Sequence, residues 1–112
     1  MNAVLQLKAR AAGRVELTGR AAALAEIDEH INNLKNCLHW LIEQGFVVNE
    51  ADMRRGKARP LVRIAPSPRL HVLFKDDCAW REREQLGTAL VKYTWFAIRY
   101  GVHIEWEEVT CA

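Results

Sequence analysis

Apolar residues recur along the first half of the chain with the period of a helix. Six of them follow alternating steps of three and four, which places them on one side of a helix: Leu24, Ile27, Ile31, Leu34, Leu38 and Leu41. Thr18 is suited to cap the start of this helix, and Gly45 can adopt the left-handed conformation that ends one. The pattern therefore predicts a helix that reaches Gln44.

The first 17 residues give a mixed signal. Residues 4–9 suit a short strand, whereas the alanines that follow suit a backward extension of the helix. Gly13 and Gly19 favour at least one interruption, because glycine is a poor helix former. We expect a helical or loosely ordered arm over residues 1–17.

The segment after Gly45 has the composition of a hairpin. Residues 46–48 and 61–65 are rich in strand formers, and a polar connection with Gly56 near its tip joins them. Pro66 and Pro68 should end the second strand, because proline has no amide proton to donate. Residues 70–74 suit a further short strand.

The last third predicts a second helix and a closing strand. The helix would begin after Asp76 or Asp77 and end before Gly101. Its apolar residues form two stripes on different sides: Leu86, Leu90, Tyr93, Ala97 and Tyr100 form one, and Val91, Trp95 and Ile98 the other. Beyond Gly101, apolar residues alternate with polar ones over 102–107, as in a half-buried strand.

The predicted order is helix, hairpin, helix, strand. Two amphipathic helices packed on a small, mostly antiparallel sheet would bury these faces, which predicts an α+β fold. The 112 residues suit a single domain spanning 1–112. A content of 50% hydrophobic and 27% charged residues is typical of a globular chain.

Cysteine usage and the N-terminus predict a location. Cys37, Cys78 and Cys111 are odd in number and widely spaced, unlike a secreted disulfide framework. We find no signal-peptide pattern and no apolar run near the length of about 20 residues that a membrane span needs. These features predict a cytoplasmic protein without a membrane partner.

Charge is distributed unevenly along the chain. Residues 53–74 contain six basic residues and no acid, and subtracting these six from the net charge of +2 leaves −4 on the rest. The six are Arg54, Arg55, Lys57, Arg59, Arg63 and Arg69. We interpret them as a nucleic-acid-binding surface that contacts phosphates. The alternative is a solvated loop whose charge keeps a sheet edge from aggregating.

Patterns of catalytic and metal sites are missing from the sequence. Cys37 and His39 are the one loose pair of metal-ligand types, whereas zinc needs four converging ligands. Gly56 is a single glycine where a phosphate-binding loop uses several. We therefore predict a non-enzymatic protein with no metal and no cofactor.

A second hypothesis is a protein-binding inhibitor or adaptor that acts on a host defence or regulatory complex. It would dock through Trp40, which lies off the main helical stripe, or through the acidic residues Glu105, Glu107 and Glu108. The stripe from Leu24 to Leu41 also suits a coiled-coil seam, so a homodimer and packing within one chain are both open.

A resemblance adds to these patterns. It is carried by the stretches HINNLKNCLHWLIEQGFVV, RPLVRIAPSPRL and YGVHIEWEE, within residues 30–69 and 100–108. They look like short accessory proteins of Mu-like transposable phages and prophages, a group without a settled activity. The resemblance implies a viral accessory protein in the cytoplasm of a bacterial host cell. Such products tend to bind nucleic acid or to block host machinery, and no functional residue is carried across.

Overall fold

The computed structural model describes residues 12–54 and 56–112, with side chains from residue 19 onward. Within this part, two helices and five strands follow one another along the chain. They are α1 (Ala12–Glu43), β1 (Val48–Asp52), β2 (Leu61–Ile64), α2 (Arg69–Phe74), β3 (Cys78–Leu86), β4 (Leu90–Arg99) and β5 (Val102–Cys111). The predicted α+β class is confirmed.

The five described strands form one sheet in the order β1-β2-β5-β4-β3. Only β2 and β5 run parallel, and the other three strand pairs are antiparallel. An antiparallel hairpin follows α1, but its first strand β1 is Val48–Asp52 and not the predicted residues 46–48. The predicted closing strand is the central strand β5. A mostly antiparallel sheet is thus confirmed as well.

Alternation along the strands gives the sheet two different faces. The face covered by the helices holds the buried apolar side chains of β2, β4 and β5: Val62, Ile64, Ala97, Val102, Ile104 and Trp106. From the helices, the core receives Cys37 and Leu41 of α1 and Leu70 and Phe74 of α2. The opposite face has no helix over it among the described residues, and we call it the open face.

The prediction of a second long helix is wrong. Residues 78–99 form a hairpin, β3 and β4, whose turn contains Gly87 with a φ of +77°. The alternation of β4 is broken at Trp95 and Phe96, because Trp95 packs against the core and the next residue, Phe96, is also apolar although it lies on the open face. The β-branched and aromatic residues of this segment favour a strand over a helix.

The strand predicted for residues 70–74 is also wrong, because these residues belong to α2. Pro68 has helical backbone angles, and the Ser67 hydroxyl accepts a hydrogen bond from the Arg69 amide at 3.3 Å. Leu70 and Phe74, one helical turn apart, are both buried against the sheet. The apolar run is therefore helical, with one side in the core.

Helix α1 is longer at its start than the sequence indicates. The chain is already helical at Ala12, so the predicted cap Thr18 and the predicted interruptions at Gly13 and Gly19 lie within it. A glycine within a helix lowers helix stability by only about 1 kcal/mol relative to alanine, and the neighbouring alanines, which are strong helix formers, offset this loss. Residues 1–11 of the predicted arm lie outside the described residues.

The end of α1 follows the sequence prediction. Gly45 has a φ of +87°, its amide donates to the carbonyl of Ile42, and the amide of Phe46 donates to the carbonyl of Leu41. These two bonds form a Schellman motif, in which glycine at the left-handed position satisfies the last carbonyls. The motif turns the chain from α1 into β1.

Candidate nucleic-acid interface

The connection between β1 and β2, residues 53–60, carries most of the predicted basic surface, and we call it the cationic loop. Arg54 and Gly56 adopt positive φ angles of 48° and 83°. The Arg54 amide donates to Asp52 Oδ1 at 2.9 Å, and Arg54 Nε donates to the carbonyl of Arg59 at 3.1 Å. These two hydrogen bonds link the start of the loop to its end and fix the position of the Arg54 side chain between them.

The described cations of this loop lack carboxylate partners. Arg54, Lys57 and Arg59 form no salt bridge with any residue in the described part of the chain. Lys57 and Arg59 are exposed, and Arg54 is half-buried. Arg55 lies outside the described residues. The loop thus presents positive charge at the end of the hairpin.

Arg63 has different surroundings, although it belongs to the same basic tract. It lies on the open face, where its neighbours in register are Glu50 of β1 and Glu105 of β5. Its guanidinium forms salt bridges of 3.1 Å to Glu50 and 3.5 Å to Glu105. Its charge is therefore balanced inside the sheet.

Arg69 is held at the other side of the molecule, next to the end of α1. One terminal nitrogen donates to the carbonyl of Gln44 at 2.7 Å, and the guanidinium lies 5.0 Å from the centre of the Phe46 ring. A cation at a helix C-terminus also interacts favourably with the helix dipole. Arg63 and Arg69 are thus separate from the cationic loop.

Glu105 organises the charges of the open face. It is buried, accepts hydrogen bonds from Arg81 Nε at 2.8 Å and His103 Nε2 at 2.9 Å, and lies beside Arg63. Burial alone would raise the pKa of this carboxyl, but the hydrogen bond and charge of Arg81 hold it below its usual value. The carboxylate form is thus favoured, and Glu105 neutralises its neighbours.

An aromatic pair lies on the open face beside these charges. The rings of Phe96 and His103 stack with centroids 5.0 Å apart and planes 9° from parallel. Burial lowers the pKa of His103, opposed by Glu105, and the positive charges of Arg54 and Arg81 lower it further. The His103 amide also donates to the carbonyl of Pro60 at 2.9 Å, which places this pair next to the end of the cationic loop.

Sequence reasoning missed this pair, because it placed Phe96 in a helix and His103 in a separate strand. The available signal was the strand-forming composition of residues 90–98 together with Gly87 as a turn residue. Correct pairing of β4 with β5 then sets Phe96 diagonally opposite His103.

The residues predicted for a protein interface are engaged within the chain. Trp40 is half-buried, with its ring centre 6.1 Å from that of Phe74 and 5.8 Å from that of Tyr100. Glu107 binds Lys92 at 3.3 Å. Glu108 accepts hydrogen bonds from Trp106 Nε1 at 2.7 Å and from His71. Glu105 is buried, whereas Glu107 stays exposed, and the protein interface expected at these residues remains a prediction.

The structure also assembles Cys78, His71 and Glu108, which are scattered in the sequence. His71 Nε2 meets Glu108 Oε2, and Cys78 Sγ lies 4.0 Å from His71 Nδ1. The order matches a thiol, a base and an orienting carboxylate. However, burial and the nearby charges of Glu108, Asp76 and Asp77 raise the pKa of the Cys78 thiol. The protonated thiol is favoured there, contrary to what a nucleophile needs.

Comparison with known proteins adds no relative: no family model, no curated protein and no solved structure matches the chain. Among the described residues, no group of three or more His, Cys, Asp or Glu side chains is placed to hold a metal ion. No helix in this part of the chain combines the length and apolar character needed to cross a membrane.

Proposed function

We propose that the chain binds nucleic acid through the cationic loop, as a non-enzymatic module that contacts the phosphate backbone. The observation that best supports this is the contrast in charge pairing within the basic tract. The side chains of Arg54, Lys57 and Arg59 form no salt bridge in the described part of the chain, whereas Arg63 is neutralised on the sheet. Unpaired cations that neutralise phosphates release condensed counterions, which drives binding.

The aromatic pair favours single-stranded nucleic acid. Unpaired bases stack on aromatic side chains, and such stacking tolerates any base sequence. Phe96 and His103 stack on the open face, and the His103 amide bonds to the carbonyl of Pro60 at the end of the cationic loop. A strand that follows the cationic loop would therefore meet a stacking surface next to the cations that bind its phosphates.

Two further hypotheses from the sequence stay predictions. The resemblance to accessory proteins of Mu-like phages agrees with nucleic-acid binding. The inhibitor or adaptor hypothesis is not favoured by the internal interactions of Trp40, Glu105, Glu107 and Glu108.

Fluorescence anisotropy with labelled oligonucleotides tests the proposal. The purified chain is titrated against single-stranded and duplex DNA and RNA at low salt. We expect measurable binding to each and tighter binding to the single strands. Replacing Lys57→Glu together with Arg59→Glu should weaken binding about tenfold or more for every sequence, because phosphate contacts carry no base information.

A matched control separates the loop from net charge. Lys75→Glu with Arg83→Glu makes the same change in charge at exposed positions outside the loop, where neither residue forms a salt bridge with a described residue. This variant should retain most of the affinity. Equal loss of affinity in both double variants, or no binding by the unmodified chain at low salt, would contradict the proposal.

A further inference from the structure

Helix α1 carries two different apolar stripes, and only one of them packs on the sheet. The packed stripe follows the spacing i, i+4, i+7 and i+11 and consists of His30, Leu34, Cys37 and Leu41. Before His30, residues 19–29 contain no buried side chain. The 32-residue helix is about 48 Å long. Its first half thus extends away from the sheet and contributes no buried side chain between residues 19 and 29.

The second stripe runs along a neighbouring side of the helix. Leu24, Ile31 and Leu38 repeat every seven residues, and Ile27 and Ile42 flank them. Leu24, Ile31 and Ile42 are 61%, 47% and 63% exposed. Leu38 and Ile27 are half-buried, and Leu38 also touches the core. The sequence predicted a single apolar stripe from Leu24 to Leu41. In the folded chain Leu34 and Leu41 of this stripe pack on the core, whereas Leu24 and Ile31 are exposed.

We propose that this second stripe is the contact between two copies of the chain, joined as an antiparallel helix pair centred on Ile31. In this register Ile31 meets Ile31 of the second copy, and Leu24 lies opposite Leu38 of the second copy. The contact spans residues 19–43, a length of about 37 Å. Within the described residues this seam stays open, because the sheet covers a different side of α1.

Charges beside the stripe select the antiparallel direction. Asp28 and Lys35 are exposed on the same flank, and neither forms an ion pair within the described part of the chain. Pairing about Ile31 sets Asp28 of each copy beside Lys35 of the other. A parallel pair would instead set each charge level with the same charge, which removes this complementarity.

The helix is already formed and fixed to the body before two copies meet. The apolar stripe from Leu24 to Ile42 covers fewer than three heptads, which would make a weak coiled coil from free peptides, because their helices must fold on association. Here the packing of Cys37 and Leu41 in the core holds the helix in advance, which lowers the entropy cost of binding.

Sedimentation velocity on the nuclease-treated chain over a range of concentrations tests the dimer apart from nucleic acid. We expect twice the 12.8 kDa chain mass at high concentration. Ile31→Glu places a charge at the centre of the seam and should give a monomer. Val72→Glu changes an apolar residue that is 70% exposed on α2 and should leave the dimer intact.

A charge exchange tests the direction. Asp28→Lys and Lys35→Asp should each raise the dissociation constant of the dimer about tenfold, because each sets like charges beside one another twice in the pair. Combining both exchanges restores opposite charges and should recover the dimer. A monomer at every concentration, a dimer that survives Ile31→Glu, or no recovery in the combined variant would overturn the inference.

Discussion

The cationic loop and the open face of the sheet both carry basic residues of one sequence tract, but these residues have opposite surroundings. Lys57 and Arg59, in the loop, are exposed and lack carboxylate partners in the described part of the chain. Arg63, four residues after Arg59, lies between Glu50 and Glu105. The loop has charge available for a partner, whereas the sheet uses its charge internally.

Strand register causes this difference. Arg63 lies directly opposite Glu50 on one neighbouring strand and Glu105 on the other, which places all three side chains on one face. A loop residue has no such neighbours in register. The number of basic residues in a stretch of sequence therefore indicates a positive surface in the loop, but not in the strand, where acidic residues of neighbouring strands pair with them.

Among the variants that test the contrast between the cationic loop and the open face, a substitution of Glu105 should change stability most. Glu105→Ala leaves Arg81 and Arg63 without their shared carboxylate, and we expect the free energy of unfolding to fall by about 3 kcal/mol. Urea unfolding measures this decrease. Glu107→Ala removes an exposed partner of Lys92 and should cost at most about 0.5 kcal/mol. Equal effects would mean that the sheet charges are not organised by Glu105.

Arg69 is the next test, because sequence reasoning placed it in the binding surface. Arg69→Ala removes the hydrogen bond to Gln44 and the packing on Phe46 at the end of α1. We expect a decrease in stability of about 1–2 kcal/mol in thermal unfolding and little change in oligonucleotide affinity. If Arg69→Ala weakened oligonucleotide binding and left the stability unchanged, Arg69 would belong to the nucleic-acid interface.

The pH dependence of stability tests the open face at His103. Burial lowers the pKa of His103 below its ordinary value of 6.5, so the unfolded chain binds this proton more readily. This contribution to stability is complete above about pH 6.5 and is lost as the pH falls from there. The free energy of unfolding, measured with urea, should therefore fall as the pH is lowered from about 7.5 to about 5.5.

His103→Gln keeps a donor for Glu105 but removes the titrating ring, so it should flatten this decline. His39→Gln, at an exposed position of α1, should leave the slope unchanged. The same slope in all three proteins would mean that His103 is not the group responsible.

The smallest effect is expected at Arg63. Its side chain is 50% exposed, and Arg63→Gln should cost about 0.5–1 kcal/mol in urea unfolding, because half-exposed ion pairs are screened by water. Affinity for oligonucleotides should stay the same. A clear drop in oligonucleotide affinity would show that Arg63 contacts nucleic acid in spite of its salt bridges to Glu50 and Glu105.

The fold was predictable where one local signal decided the structure. The end of α1 follows from Gly45, and β2 follows from the strand-forming run at residues 61–65, whereas β1 ends at Asp52, four residues after the predicted end at Val48. Residues 78–99 were misassigned because Leu86, Leu90, Tyr93 and Ala97 match a helical spacing by coincidence. Strand β4 alternates between apolar and polar residues only over 91–95, and the successive apolar residues Trp95–Ile98 break the alternation that would identify a strand.

The candidate site was predictable in part for a similar reason. Arg54, Lys57 and Arg59 are close enough in sequence to be grouped, and the fold keeps them in one loop. The pairing of Phe96 with His103 depends on the register of β4 and β5. The neutralisation of Arg63 depends on the registers of three strands. Neither register can be read from periodicity alone.

The salt dependence of oligonucleotide binding tests the central claim most directly. The slope of log affinity against log salt changes by about 0.7–0.9 for each phosphate that the protein no longer neutralises. Lys57→Gln with Arg59→Gln should reduce the slope by about 1.4–1.8, and Arg63→Gln with Arg69→Gln should leave it unchanged. An equal reduction in both pairs, or a reduction only in the second pair, would contradict the account.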